Sequence, residues 1–152
     1  MPTTTHQSVL SDPTGLHTFA PSADGLRITH HISAPTHPPV WQELPPALFC
    51  SDPQTRITAV AISCALGGYW LFYASRDHSG KQRILLANSA DLVRFDPYHT
   101  PLIHALPPHL REQPINTITL TPADPSFILT VNTPGGSASY TSTDLLRWAL
   151  VV

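Results

Sequence analysis

The stretch Ile84-Leu85-Leu86-Ala87-Asn88-Ser89-Ala90-Asp91-Leu92-Val93-Arg94-Phe95 decides the fold of this chain. An extended apolar run leads into Ser-x-Asp, then two mostly apolar residues, then Arg and a large apolar residue. Altered copies lie at 17–28 and 138–148, where Ser22-x-Asp24 and Ser142-x-Asp144 occupy the same place. The aspartates of the three copies, Asp24, Asp91 and Asp144, are 67 and 53 residues apart. Recurrence of one pattern at such intervals indicates structural repeats.

A longer repeat surrounds the second and third copies. Strand-like alternation in 57–62 returns in 115–120, and the apolar run 69–74 returns in 126–131. Each is followed by the Ser-x-Asp segment and a final strand, at 94–102 and 147–152. Four strands per repeat of this length are typical of propeller blades. A two-sheet sandwich is the alternative, but it does not explain why one four-step order recurs.

The sequence therefore predicts an all-β fold, a partial β-propeller of two to three four-stranded blades within one domain, 1–152. We assign 5–43 to a partial blade lacking its innermost strand, and 44–105 and 106–152 to two full blades. The first unit opens with a hairpin, since Asp12-Pro13-Thr14-Gly15 is a strong turn signal between two extended runs. The Ser-x-Asp segments are predicted to close turns between third and fourth strands, with Phe95 and Trp148 packed between blades.

Composition excludes several function classes. The net charge of −2 offers no basic stripe for a nucleic acid. No apolar run is long enough to span a bilayer, and no secretory signal is visible, so we expect a cytoplasmic protein with two free thiols. Nine histidines lack the spacing of a zinc site, so neither a metal nor a cofactor is predicted. Only 12% of residues are charged, which favours burial of surface in an oligomer.

Two blade patterns carry a resemblance to a known group of enzymes. The strand Tyr69-Trp70-Leu71-Phe72-Tyr73-Ala74-Ser75 followed by 84–95 resembles a blade of the arabinanase, xylosidase and invertase type of glycoside hydrolase. Segment 141–148 shares the pattern of segment 84–95, and segment 22–28 shares it less closely. Those enzymes are five-bladed propellers with longer chains. Because two to three blades would leave sheet edges open, we expect a homodimer that closes a ring of five or six blades.

The resemblance also implies a site in the central channel. In such hydrolases an Asp-Pro acts as the orienting aspartate and a Glu-x-Pro supplies the general acid, and Asp52-Pro53 and Glu112-Gln113-Pro114 match these motifs. Asp12-Pro13 is the single candidate for the base aspartate, although it sits in a short turn. Both motifs are also ordinary loop starts.

The predicted substrate-binding residues are Trp41, Arg56, Asn116 and His30. Trp41 could offer an aromatic platform, and His30 or His31 could face the channel, since neighbours on a strand point to opposite faces. Three functions stay open at this point. They are glycan binding or processing, a non-hydrolytic enzyme that takes a small molecule into the channel, and an interaction scaffold without chemistry.

Overall fold

Three four-stranded antiparallel sheets make up the computed structural model, which describes residues 7–36 and 38–151. No helix occurs in the described chain, so none could cross a membrane. The all-β prediction is confirmed. In each sheet the strands follow chain order, as short turns between neighbours require.

The strands are named in chain order. The first sheet contains β1 (Ser8–Asp12), β2 (Gly15–Pro21), β3 (Arg27–Ser33) and β4 (Trp41–Phe49). The second contains β5 (Arg56–Ala65), β6 (Gly68–Arg76), β7 (Gln82–Ser89) and β8 (Asp96–Pro97). The third contains β9 (Thr117–Ala123), β10 (Ser126–Thr133), β11 (Gly136–Ser142) and β12 (Ala149–Leu150).

The first sheet is complete, which corrects the predicted partial unit 5–43. Its inner strand is β1, and its fourth strand is β4, which we had divided between two units. Consecutive prolines such as Pro45 and Pro46 are typical of loops, but β4 lies at the edge of its sheet. An edge strand tolerates proline because one side of its backbone has no partner strand to satisfy. The predicted final strands at 94–102 and 147–152 shorten to β8 and β12, and Val152 lies outside the described residues.

The second and third Ser-x-Asp segments form the predicted turns between third and fourth strands. Ser89 Oγ accepts a hydrogen bond from Leu92 N (2.9 Å), and Asp91 Oδ1 accepts from Val93 N (2.9 Å) and Arg94 N (3.0 Å). The third copy repeats these contacts at its equivalent residues. Both turns put a buried leucine at positive φ, 62° at Leu92 and 67° at Leu145.

The first copy does not occupy the same position, contrary to our prediction. Ser22 and Asp24 lie in the turn between β2 and β3, the second and third strands of their sheet. There Asp24 Oδ1 accepts a hydrogen bond from Leu26 N at 3.0 Å. Ser-x-Asp satisfies backbone amides in any tight turn, so the motif by itself does not fix its place in a blade.

Two apolar layers join the three sheets. Phe19 and Ile28 of the first sheet pack on Ile62 and Leu71 of the second. The opposite face of the second sheet packs on the third, where the core residues include Phe72, Leu86, Leu129 and Val131. The predicted packing of Phe95 and Trp148 between sheets is confirmed, since their rings contact Phe19 and Phe72 edge-on at 5.7 and 5.9 Å.

Candidate functional site

The first strands of the three sheets meet along a groove. Strand β5 lies between β1 and β9 and packs against both. The groove has a volume of about 340 Å³. It is lined by the start of β1, the middle of β5 and residues 116–120, at the start of β9. This is where a propeller of these sheets would have its central channel.

Neutral polar groups line the groove. The described residues around it include Gln7, Ser8, Asn116, Thr117 and Thr119, and none of those lining it is charged. Ser8 Oγ accepts from Ile62 N at 3.0 Å, and Thr117 Oγ1 accepts from Asn132 Nδ2 at 2.9 Å. Gln7 Oε1 is buried and bonds no other described residue. The groove therefore presents amide and hydroxyl groups, and beside it lies a buried acceptor, Gln7 Oε1, that has no partner among the described residues.

Of the six predicted site residues, Asn116 alone lines this groove within the described chain. Its backbone N–H donates to Asn132 O at 2.8 Å, which fixes the residue just before β9. The side-chain amide makes no hydrogen bond to a described residue. Asn116 is thus placed where a ligand in the groove could reach it.

Asp52 lies in the loop between β4 and β5 and is exposed. Its Oδ1 accepts from Gln54 N (2.8 Å), and its Oδ2 accepts from Thr55 Oγ1 (3.2 Å). These contacts hold the carboxylate against its own loop. Asp52 lines a separate cleft of about 160 Å³.

Glu112 lies before β9 and is also exposed. It lines a third cavity, of about 350 Å³, together with Lys81, Gln82 and Arg111. Glycoside cleavage requires two carboxyl groups roughly 5 to 9.5 Å apart around one bond. The structure places Asp52 and Glu112 in different cavities, neither of them the groove, so their catalytic roles stay predictions.

Arg56 and Trp41 also lie outside the groove. The Arg56 guanidinium donates to the carbonyl oxygens of Pro53 and Thr55, and its side chain packs on Gly25. Trp41 begins the edge strand β4 opposite Ser33 and is half-buried. Their substrate-binding roles therefore stay predictions.

His30 is buried rather than facing the channel, which corrects our prediction. Its side chain is 2% exposed and stacks on Phe19 with ring centroids 4.2 Å apart. Its Nε2 lies 2.8 Å from His17 Nδ1, and His17 Nε2 lies 3.0 Å from Asp12 Oδ1. Burial, and then the neighbouring His17 and His31, lower the pKa of His30 to about 4. The ring is neutral at physiological pH.

Asp12, the last residue of β1, anchors this series of hydrogen-bonded side chains. Burial acts to raise the pKa of its carboxyl, but hydrogen bonds from Thr14 and His17 outweigh burial, so the pKa lies below its usual value. Asp12 thus binds inside the first sheet and its turn. The pairing of β2 with β3 sets Phe19 opposite His30 and so brings the members of this network together.

Gln7, Ser8 and Thr117 were not predicted as site residues. We had assigned no inner strand to the first unit, so its residues could not be placed at the channel. The extended run before the Asp12-Pro13-Thr14-Gly15 turn was the available signal, since it marks a strand ahead of β2. Among the described residues, no three His, Cys, Asp or Glu side chains are grouped to hold a metal ion.

Known structures share this arrangement. A family-32 β-fructofuranosidase of Bombyx mori superposes with a TM-score of 0.72 and 16% identity, over 97% of this chain and 37% of that one. A fructan 1-exohydrolase of Cichorium intybus, solved with 1-kestose, gives a TM-score of 0.75 and 16% identity, over 99% and 32%. A thermostable family-43 glycoside hydrolase gives 0.71 and 19%, over 96% and 52%.

This chain folds as three blades of a glycoside-hydrolase-type β-propeller. The likeness establishes the fold, and it confirms the resemblance drawn from the sequence. The chain spans about a third to about half of the length of these enzymes. No family model matches the sequence, and no curated protein does.

Proposed function

We propose that this partial propeller binds a neutral glycan in the groove between β1, β5 and β9 and does not cleave it. Its structural neighbours are glycoside hydrolases, and one was solved with sucrose bound and another with 1-kestose. Sugars are recognised through hydroxyl groups that both donate and accept hydrogen bonds. A groove of amides and hydroxyls suits such a ligand.

The observation that carries this proposal is the uncharged polar lining with its unpaired acceptor. A buried carbonyl oxygen without a partner, as at Gln7, costs roughly 1–3 kcal/mol. A ligand hydroxyl would remove that cost after a side-chain rotation that turns this oxygen towards the groove. The side-chain amide of Asn116 lines the same groove and can contribute both a donor and an acceptor.

The uncharged lining also favours binding over hydrolysis. General acid catalysis needs a carboxyl within hydrogen-bond reach of the leaving oxygen. The described residues that line the groove include no Asp or Glu. Glycoside processing is the second candidate, because Asp52 and Glu112 stand in the loops that lead into β5 and β9 and the neighbours are hydrolases.

A second copy of the chain is proposed to close the ring around the groove. The open face of the third blade carries a patch of hydroxyl and amide side chains, which includes Thr119, Thr130, Asn132 and Ser139. Thr130 and Ser139 lie 3.2 Å apart across neighbouring strands. An interface on this face would be hydrogen-bonded rather than apolar, unlike the two layers that join the blades.

The test is titration of the protein with sucrose, 1-kestose and xylotriose by calorimetry. Asn116→Ala should weaken binding about three- to tenfold, as expected for one or two lost hydrogen bonds. Asn88→Ala on β7, which does not line the groove, is the matched control and should bind as the wild type. Equal affinity in the two variants would contradict the proposed site.

Hydrolysis is measured separately with aryl glycosides. The proposal expects no turnover from the wild type. If the wild type does turn over a glycoside, and Glu112→Gln loses this turnover but still binds the glycan, then the function is glycoside processing and not binding alone. Absence of both binding and turnover would favour the scaffold alternative.

A further inference from the structure

A cleft opens between the end of β4 in the first blade and one face of the second blade. Its volume is about 160 Å³. Phe49 and Cys50 form one side, and Cys50 N donates to Leu26 O at 2.7 Å, which fixes the chain there. On the other side stand Tyr73 and Ser75, which share one face of β6. We call this site the interblade cleft.

One part of the interblade cleft is apolar. Phe49 is 68% exposed although it is a large aromatic residue, and Leu48 and Leu85 lie beside it at the cleft. An exposed ring next to a cavity gives a flat surface on which the C–H face of a ligand can stack. Burial of that ring would recover the hydrophobic free energy that exposure costs.

The other part offers free hydroxyl groups. Neither Tyr73 Oη nor Ser75 Oγ hydrogen-bonds to another described residue, although Ser75 is only 8% exposed. Burial raises the pKa of Tyr73 to about 12, so its hydroxyl keeps its proton and can donate at neutral pH. Both groups can therefore exchange hydrogen bonds with a hydroxylated ligand.

The charge and the size of the interblade cleft limit the kinds of ligand that it can hold. Asp52 is the one ionised residue that lines the described cleft, and its carboxylate is already bonded to its own loop. An anion would be repelled there. Pockets for drug-sized ligands measure about 300–1,000 Å³, so a cleft of about 160 Å³ holds one small ring.

We propose that the interblade cleft is a second glycan subsite, which holds a single neutral sugar unit between Phe49 and the hydroxyls of Tyr73 and Ser75. The C–H face of the ring stacks on Phe49, and ring hydroxyls bond to Tyr73 and Ser75. The inference rests on the proposed glycan binding, but it places a contact outside the groove. A chain with both sites would bind a longer glycan more tightly than either site alone.

The first test compares two cleft variants with matched controls. Tyr73→Phe removes a hydroxyl, and its control, Tyr69→Phe, removes one from the same face of β6 outside the cleft. Phe49→Ala removes the ring, and its control, Val93→Ala, shortens a side chain that is 76% exposed elsewhere. With 1-kestose and xylotriose as probes, each cleft variant should bind about three- to tenfold more weakly. The controls should match the wild type.

Cys50 supplies a second readout within the cleft. Its thiol is half-buried and burial raises its pKa, whereas Cys64 is exposed, so a disulfide reagent should modify the two at different rates. Saturating 1-kestose should slow modification of Cys50 and leave Cys64 unchanged. An unchanged Cys50 rate at saturation would overturn the inference.

The variants separate this inference from the proposed function. Weaker binding in Asn116→Ala with full affinity in Tyr73→Phe and Phe49→Ala supports the groove and overturns the cleft. The reverse result supports the cleft and overturns the groove as the site. No binding of either probe to the wild type overturns both.

Discussion

Acid should destabilise this protein through one buried imidazole. His30 has a pKa of about 4 in the folded chain, against 6.5 for an ordinary histidine. Its folded pKa lies below its unfolded pKa, so the unfolded chain binds more protons between these values. The free energy of unfolding is therefore highest above pH 6.5 and falls as the pH drops towards 4. From pH 7.5 to 4.5 this loss amounts to about 2.5 kcal/mol at most.

The structure explains where that free energy comes from. Protonated His30 would stand against Phe19 with almost no solvent, and it would place a charge 2.8 Å from His17. The neutral ring instead donates through Nε2 to His17, whose other nitrogen donates to Asp12. The titratable groups that act on His30 are thus His17, His31 and Asp12, and of these only Asp12 favours its protonation.

The assay is urea unfolding followed by tryptophan fluorescence at pH 7.5 and 4.5. His30→Gln keeps a donor near His17 but does not titrate, so its stability should change little over this range. His99→Gln, an exposed histidine after β8 that does not act on His30, is the control and should behave as the wild type. Carboxylates with lowered pKa values lose their contribution only as the pH falls below about 3.8, outside this window. Equal losses in the wild type and His30→Gln would refute the reasoning.

Three further predictions concern the blades. Leu145→Ala should lower the free energy of unfolding by about 2–5 kcal/mol because the Leu145 side chain is fully buried. Leu146 is 38% exposed, so Leu146→Ala should change this free energy by less than about 1 kcal/mol. Urea titration measures both. Gly25→Ala should lower the free energy of unfolding by about 1 kcal/mol more than Gly67→Ala does. Both glycines have positive φ, but the new Cβ meets the Arg56 side chain at 2.8 Å only at Gly25. Equal losses of stability in the two variants would contradict this. Light scattering at micromolar concentration should give the mass of two chains, and the mass of one chain would rule out the dimer.

The blade architecture could be predicted because its signals are local. The Ser-x-Asp turns at Ser89 and Ser142 use side chains to bind backbone amides two or three residues away. The alternation of apolar residues in β5 and β9 reflects packing on neighbouring sheets. Both patterns depend on residues that are close together in the chain, so they can be recognised from the sequence alone.

The first blade was harder to predict because its deciding features are not local. Pro45 and Pro46 read as a loop, and only the edge position of β4 makes them acceptable in a strand. Likewise, the burial of His30 depends on the second blade, whose Phe95 packs on Phe19 beneath it. A sequence pattern cannot show which face another sheet will cover.

The site was predicted least well for the same reason. Asp52 and Glu112 precede inner strands, as expected, but loop conformation turns each towards its own cavity. Asn116 reached the groove because it stands directly before β9, where the backbone bond to Asn132 leaves little freedom. A position on a strand did not suffice either, since His30 on β3 and Trp41 on β4 lie away from the groove.

The central claim is that a neutral glycan binds between the inner strands. Backbone amide NMR shifts recorded during titration with 1-kestose test it most directly. The account predicts the largest shift changes at Ser8, at residues 59–62 and at residues 116–120, with smaller ones at Tyr73 and Ser75. Changes confined to residues outside the groove and the cleft, or none at saturating sugar, would contradict it.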